Sequence, residues 1–387
     1  MKLPNGITYV GVNDHEVDLF EGQYVVPNGM SYNSYIIKGE RTAVMDSVDE
    51  KKIGEWLNNI ENALGSVSPD YLVVQHMEPD HSSGIKAFAD KYPDAKIVGN
   101  SKTFTILSLY FETLGIENRK IVVAEGDTLD LGGKTLNFVF APMVHWPEVM
   151  MTYESETKTL FSADGFGKFG ALDVDEEWAC EARRYYFGIV GKYGVQVQSV
   201  LKKASALDIR VICPLHGPVL SENLAYYIGL YDVWSSYKPE KEGVFIAYTS
   251  VYGHTKKAVE MLADVLKKKG VDVSCADLAR EDMAEAVEDA FKYDRLVLAT
   301  TTYNGEIFPF MRTFIDDLVE RGYKNRRVAF IENGSWAPVA TRVMMKKLEG
   351  CKNLIYAENN LTIKASFKKA DEKVLLALAD ELSLTHR

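Results

Sequence analysis

The sequence predicts an α/β chain of two domains: a β-rich domain over residues 1–240 and a doubly wound parallel sheet over residues 241–387. Three observations predict it. Acidic charge is confined almost wholly to the first part, which carries 21 Lys and Arg against 33 Asp and Glu, whereas 241–387 carries 23 against 22. The change coincides with SSYKPEKEG (235–243), a polar stretch holding Pro239 and Gly243, as an interdomain linker would. Beyond it, short apolar runs alternate with segments of helical period; before it, strand-like runs end repeatedly in histidines and acids.

Composition excludes several classes. The 387 residues exceed one comfortable core, at roughly 100–200 residues per domain. With 47% apolar residues, 26% charged residues and 12 prolines, the chain is globular rather than disordered or fibrous. No apolar run reaches the ~18 residues of a membrane span, and the start, MKLPNGITYV, lacks the apolar core of a secretion signal, so the expected location is the cytoplasm. The net charge of −11 disfavours nucleic acid as a partner. Cys180, Cys213, Cys275 and Cys351 stand far apart with no CxxC pair, which argues against an iron–sulfur cluster, a rubredoxin-type iron or a zinc ribbon.

In the second domain, strands are expected at 243–248, 271–275, 295–300, 327–331 and 353–357. The first helix sets Ala258, Met261, Leu262, Val265 and Leu266 on one face. A doubly wound sheet binds its ligand off the carboxyl ends of its strands, and three loops fall there. The first, TSVYGHT, runs Thr249, Ser250, Val251, Tyr252, Gly253, His254, Thr255, and opens a helix whose N–H groups suit a phosphate. The second holds Thr301, Tyr303, Asn304 and Gly305; the third holds Asn333, Gly334, Ser335 and Trp336. An anionic, flat, aromatic ligand fits all three. TSVYGHT resembles the flavodoxin phosphate loop, with Ser250, Gly253 and Thr255 on its hydroxyl–Gly–hydroxyl positions, and YNG and GSW resemble the two isoalloxazine loops. The resemblance implies FMN. Tyr252 departs from it, standing where a small hydroxyl residue is usual.

The first domain opens with two strands around a Lys-Gly-Glu turn in 33–48, and YLVVQ (71–75) feeds HMEPDH, which sets His76, Glu78, Asp80 and His81 in six positions. His145 follows LNFVFAPMV, Asp164 follows TLFSA, and His216 follows VICPL. Four of the seven histidines thus sit at strand ends beside three acids, as a dinuclear metal site requires; His15, His254 and His386 join no ligand cluster. The pattern resembles the metallo-β-lactamase αββα sandwich, whose hydrolases show HxHxDH where this chain has HxExDH. Glu78 puts an anionic oxygen where an imidazole would be. That harder, more negative set suits iron over zinc and points to electron chemistry.

Together, HMEPDH, MVHWPEVM, SADGFG, EARRYYFGIVGKYGVQVQSVLKK, PLHGP and the FMN loops resemble the flavodiiron proteins (A-type flavoproteins) over essentially the whole chain. The resemblance implies two non-haem irons, one on His76, Glu78 and His145, the other on Asp80, His81 and His216, with Asp164 bridging. It implies reduction of O2 to water, of NO to N2O, or both, with electrons entering through FMN. Tyr185 or Tyr186 would lend a hydroxyl to the bound gas, Trp146 would meet a second subunit, and the assembly would be a head-to-tail homodimer or a dimer of dimers. With no CxxC in the sequence, no fused rubredoxin domain is expected, and the donor is expected to be separate, such as rubredoxin, steered by Lys267 to Lys269, Arg326 with Arg327, and Lys346 with Lys347. A non-catalytic gas or redox sensor and a zinc hydrolase with a fused flavodoxin remain as alternatives. Glu78→Ala is expected to cripple iron binding and leave FMN bound, measured as metal and flavin content; full iron retention contradicts the ligand assignment.

Overall fold

The computed structural model describes residues 2–111 and 114–384; His386 lies outside them. The chain divides into two compact units, Met1–Tyr186 with Tyr193–Asp232, and Phe187–Lys192 with Val233–Arg387.

The first unit packs two sheets face to face. One runs, in order across the sheet, Ile7–Tyr9, Tyr35–Lys38, Thr42–Met45, Tyr71–Val73, Lys96–Asn100 and Lys120–Val123, antiparallel over its first three strands and parallel over its last four. The other runs Thr128–Asp130, Thr135–Phe140, Met150–Glu154, Thr159–Phe161 and Val211–Cys213, antiparallel except for its last pair. Strand side chains alternate between faces, so Tyr35 and Ile37, Ala43 and Met45, and Tyr71 and Val73 meet Leu136, Phe138, Met150 and Phe161 in one core. The helix Ile53–Leu64 covers an outer face with Trp56, Ile60 and Leu64, three residues of helical spacing that are all buried. Because the strands Tyr71–Val73, Thr135–Phe140, Thr159–Phe161 and Val211–Cys213 end at one edge of the sandwich, the loops leaving Val73, Phe140, Phe161 and Cys213 converge.

The second unit is a parallel sheet ordered Val273–Asp277, Lys241–Tyr248, Tyr293–Tyr303, Arg327–Asn333, then Ile355–Tyr356 and Leu361–Ile363 side by side on the last long strand. In chain order this is 2-1-3-4-5, the flavodoxin-like winding. The helices His254–Lys268 and Lys369–Ser383 bury Ala258, Leu262 and Leu266 against Leu375, Leu378 and Leu382 over this sheet. Two expectations shift. The run at 353–357 gives only a two-residue strand, because the Asn360 side chain accepts from Phe330 N–H (2.8 Å) where a continuing strand would pair. Arg326, read as part of a basic surface pair, is buried, its guanidinium donating to the carbonyls of Tyr237, Phe291 and Tyr293. Two of the other basic residues have acidic partners at the surface: Lys269 pairs with Asp380 and Lys347 with Asp316.

Candidate metal centre and flavin site

All seven expected ligands converge, and the carboxylates and imidazoles among them are largely removed from water. His76 and Glu78 lie just past the strand Tyr71–Val73, and the short helix Pro79–Ser82 carries Asp80 and His81. Several of these loops hold non-glycine residues in the left-handed region: Asp46 (φ 54°), Met143 (φ 66°), Ala163 (φ 49°) and Phe166 (φ 67°). Each such residue costs of order 1 kcal/mol or more and persists because its surroundings over-determine it. Those surroundings are visible. Leu215 N–H donates to Ala163 carbonyl (2.9 Å), locking the Asp164 and His216 loops together, and Met150 N–H donates to Gln75 carbonyl (3.1 Å), tying the His145 loop to the His76 loop. Asn33 pins the His216 turn through the carbonyls of Pro214 (2.9 Å) and Gly217 (2.8 Å).

The ligands form two groups. In one, His145 Nε2 lies 2.9 Å from Glu78 Oε2, and His76 Nε2 lies 3.3 Å from that oxygen and 3.4 Å from His145 Nε2. In the other, His81 Nε2 lies 3.1 Å from Asp80 Oδ2 and 3.0 Å from His216 Nε2. Asp164 stands between: Oδ2 is 3.2 Å from both His76 and His145, while Oδ1 is 3.5 Å from His81 and 3.8 Å from His216. Each group is two imidazoles and one carboxylate, with a shared carboxylate offering one oxygen to each side. Donor atoms held about 2.1 Å from one ion at right angles would be about 3 Å apart, close to what these groups show. Two imidazoles with one carboxylate is the donor set of non-haem iron.

Hydrogen bonding fits a pair of cations. His216 Nδ1 donates to Ser31 carbonyl (2.8 Å), which can only accept, so Nε2 carries the lone pair that faces inward in the neutral ring. His76 Nδ1 is likewise held by Glu148 Oε1 (2.9 Å). Among the described residues, neither oxygen of Asp80 or Asp164 has a donor in hydrogen-bonding geometry, although ring nitrogens stand close by. The groups aim at common points rather than at one another.

Without metal, protons take the place of the cations. Burial works against charged imidazoles, but the Asp80 and Asp164 carboxylates outweigh it and raise His81 to about 10; Asp164 and Glu78 likewise raise His145 to about 9. Burial opposes ionised Asp80 and Asp164 too, and the facing imidazoles hold both below the usual carboxylate range. Glu148 is held low by His76 against its own burial.

Around the ligands, Phe20 packs edge-on to His216 (centroids 5.3 Å), Tyr185 lies 5.5 Å from it, and Trp146 stands edge-on to His76 at 5.4 Å. Tyr186 packs on Tyr231 at 5.2 Å instead. Burial and the charges of Asp164, Asp80 and Glu78 push the Tyr185 hydroxyl well above its usual value, so it keeps its proton. Three residues near the ligands escaped sequence reading. Glu21 stands close enough to Glu78 that desolvation of its carboxyl and the Glu78 charge raise it to about 7. Asp46 accepts from Gln75 N–H (2.7 Å) and His76 N–H (3.3 Å) and is raised to about 6 by burial. Glu148 is the third; an isolated acid after HWP carries no signal that separates it from a surface glutamate.

In the second unit the three loops enclose a cavity of about 630 Å³, within the range of small-ligand sites. Ser250, Val251, Tyr252, His254 and Thr255 line it with Thr301 to Gly305 and Asn333 to Ala337, joined by Ala365 and Ser366, which no glycine or motif marks in the sequence. Ser250 Oγ accepts from Gly253 N–H and Lys256 N–H (both 3.2 Å), and Gly253 (φ 87°) turns the chain into the helix. Thr249 does not line the cavity; it is buried and bonded to Thr300 (2.6 Å). Asn304 (φ 51°) and Gly305 (φ 75°) form a two-residue hairpin between Tyr303 and Glu306, the turn an Asn-Gly pair favours. Trp336 and Tyr252 are 92% and 91% exposed at the rim, rings free to meet a flat ligand.

Fold and site together define a class: a sandwich holding two metal positions, joined in one chain to a doubly wound domain with a flavin-type cavity. Residues 30–217 match the ODP family beta lactamase domain and residues 245–354 a flavodoxin domain. An uncharacterized protein of Methanocaldococcus jannaschii is 31% identical over 321 residues, covering 81% of this chain and 80% of that one. A nitric oxide reductase of Moorella thermoacetica is 28% identical, covering 94% and 93%. The flavodiiron protein of Giardia intestinalis superposes with a TM-score of 0.90 at 26% identity, covering 99% of this chain and 94% of that one. The chain belongs to the flavodiiron protein family.

Two outcomes follow from this geometry. Groups with folded pKa values raised above 6.5 contribute stability that is complete below 6.5 and is lost as pH rises through those values. Chelator-stripped protein is therefore expected to lose thermal stability between about pH 6.5 and 10, and to release protons on taking up ferrous iron at neutral pH; a flat melting profile over that window contradicts the protonated cluster. A Cβ on Gly253 would meet open space, so the obstacle there is φ, at about 1–2 kcal/mol. Gly253→Val is expected to weaken FMN binding about tenfold with iron unchanged, read by fluorescence titration; unchanged flavin affinity contradicts the phosphate-loop placement.

Proposed function

We propose that this protein reduces O2 to water, NO to N2O, or both, at two non-haem irons supplied with electrons through FMN. The observation that carries the reading is Asp164, whose two oxygens face two separate groups of two imidazoles and one carboxylate. His76, Glu78 and His145 would hold one iron, Asp80, His81 and His216 the other, with Asp164 between them. Ser250 and Thr255, which line the cavity, would hold the FMN phosphate together with the turn at Gly253, which does not itself line it, and the Tyr303 and Trp336 loops would lie against the ring. When bound, the two ferrous irons and the reduced flavin together supply four electrons and open positions for a diatomic.

The protein's own groups supply the rest. Glu78 and the two aspartates bring three negative charges, which favour the oxidised metals and make the centre a reductant; a hydrolase would gain from a neutral imidazole there. Tyr185, protonated at working pH and beside His216, would donate to a bound oxygen atom. Phe20, Tyr32 and Tyr185 crowd His216 with rings that exclude bulk water.

The protein takes gas substrates and electrons from a redox donor. We assign that donor to a separate reduced carrier of the rubredoxin kind, and the working assembly to a head-to-tail homodimer or a dimer of dimers, with Trp146 of one subunit at the boundary. The functional division falls near residue 240. Among the described residues no helix is long and apolar enough to cross a membrane, and we place the protein in the cytoplasm.

The test is turnover with each gas under one reductant. Iron- and FMN-loaded protein is expected to consume O2 or NO continuously at a rate proportional to enzyme, with water or N2O as product. Binding without turnover of either gas contradicts the assignment and leaves a sensor.

A further inference from the structure

Glu148 is a fully buried carboxylate, and its only ion pair among the described residues is with His76. Its Oε1 accepts from His76 Nδ1–H and from Met77 N–H, both at 2.9 Å. Its own backbone is fixed, since Asn100 Nδ2 donates to the Glu148 carbonyl (2.5 Å) while Asn100 Oδ1 caps the helix Ser101–Tyr110 through Lys102 and Thr103 N–H. A buried carboxylate without a Lys or Arg is costly unless its partner carries positive charge. The other face of the His76 ring presents Nε2 to Glu78, His145 and Asp164, where a cation belongs. Charge on that face strengthens the Nδ1–H bond to Glu148, and the Glu148 charge strengthens Nε2 as a donor.

The other group lacks this device. His216 Nδ1 donates to a neutral carbonyl, that of Ser31, and His81 Nδ1 is buried with no hydrogen-bond partner among the described residues. The two metal positions are thus matched in their inner donors and unmatched behind them. Resting on the diiron reading, we propose that Glu148 is a positioning residue: it fixes His76 in the tautomer that ligates through Nε2 and makes the His76–Glu78–His145 position the tighter of two unequal iron sites.

The test titrates metal-free, FMN-loaded full-length protein with ferrous iron under anaerobic conditions against a competing chelator, for wild type, Glu148→Gln and Glu148→Ala. Gln keeps the shape and an acceptor for Nδ1–H but removes the charge. Wild type is expected to show two unequal affinities. Both variants are expected to lose ~10–100-fold at the tighter position and to change at the other by less than about twofold, with FMN content unchanged. Mössbauer spectra of 57Fe-loaded protein should show one of two iron signals shifted in Glu148→Gln and the other unmoved. Wild-type affinity at both positions in the variants, or equal loss at both, overturns the proposal. Failure of the wild type to take two irons overturns the diiron reading, and this proposal with it.

Discussion

Asp164 is the constraint on which the first unit depends. Its carboxylate is almost fully buried, and it is tolerated because two imidazoles face each of its oxygens. To bring those four rings to one residue, loops from both sheets must end at the same place. The hydrogen bonds Leu215–Ala163 and Met150–Gln75, and the Asn33 bonds to the His216 turn, hold them there against left-handed residues at Met143, Ala163 and Phe166. Strain of this kind is stable only in a frame stiffened elsewhere, which the interlocked core of Ile37, Val73, Phe138 and Phe161 supplies.

What the centre does with its metals follows from charge. Three carboxylates in the ligand set, against four imidazoles, stabilise the higher oxidation state, and Glu148 adds a fourth negative group one hydrogen bond away. The surroundings are aromatic rather than hydrated: Phe20, Tyr32 and Tyr185 lie against His216, and Trp146 stands against His76. Such a setting favours a small apolar gas over a hydrated substrate. In the second unit the same economy appears in another form, with backbone amides and exposed rings around a cavity whose shape is set by Gly253 and the Asn304–Gly305 turn.

Much of this was legible in the sequence because local rules decide it. Histidines and acids at strand ends stay at strand ends, an Asn-Gly pair makes a two-residue turn, and helical spacing placed Ala258, Leu262 and Leu266 inside. What was not legible depends on register between distant segments. Glu148 meets His76 across 72 positions of chain, Phe20 reaches His216 from the short antiparallel pair Leu19–Phe20 and Tyr24–Val25 far upstream, and Ala365 and Ser366 enter the flavin cavity from beyond the last strand. Of two adjacent tyrosines, Tyr185 closes the α-helix Trp178–Tyr185 and meets His216, while Tyr186 opens the wider turn Tyr186–Val190 and meets Tyr231, and sequence spacing alone could not choose between them. Arg326 looked like surface charge because nothing local shows that backbone carbonyls surround it.

The central claim is that two groups sharing Asp164, with Glu78 in place of an imidazole, select a pair of irons. Elemental analysis of the protein purified from cells supplied with both iron and zinc tests it most directly. The account predicts two irons for each FMN and little zinc; zinc at both positions with no iron would contradict it.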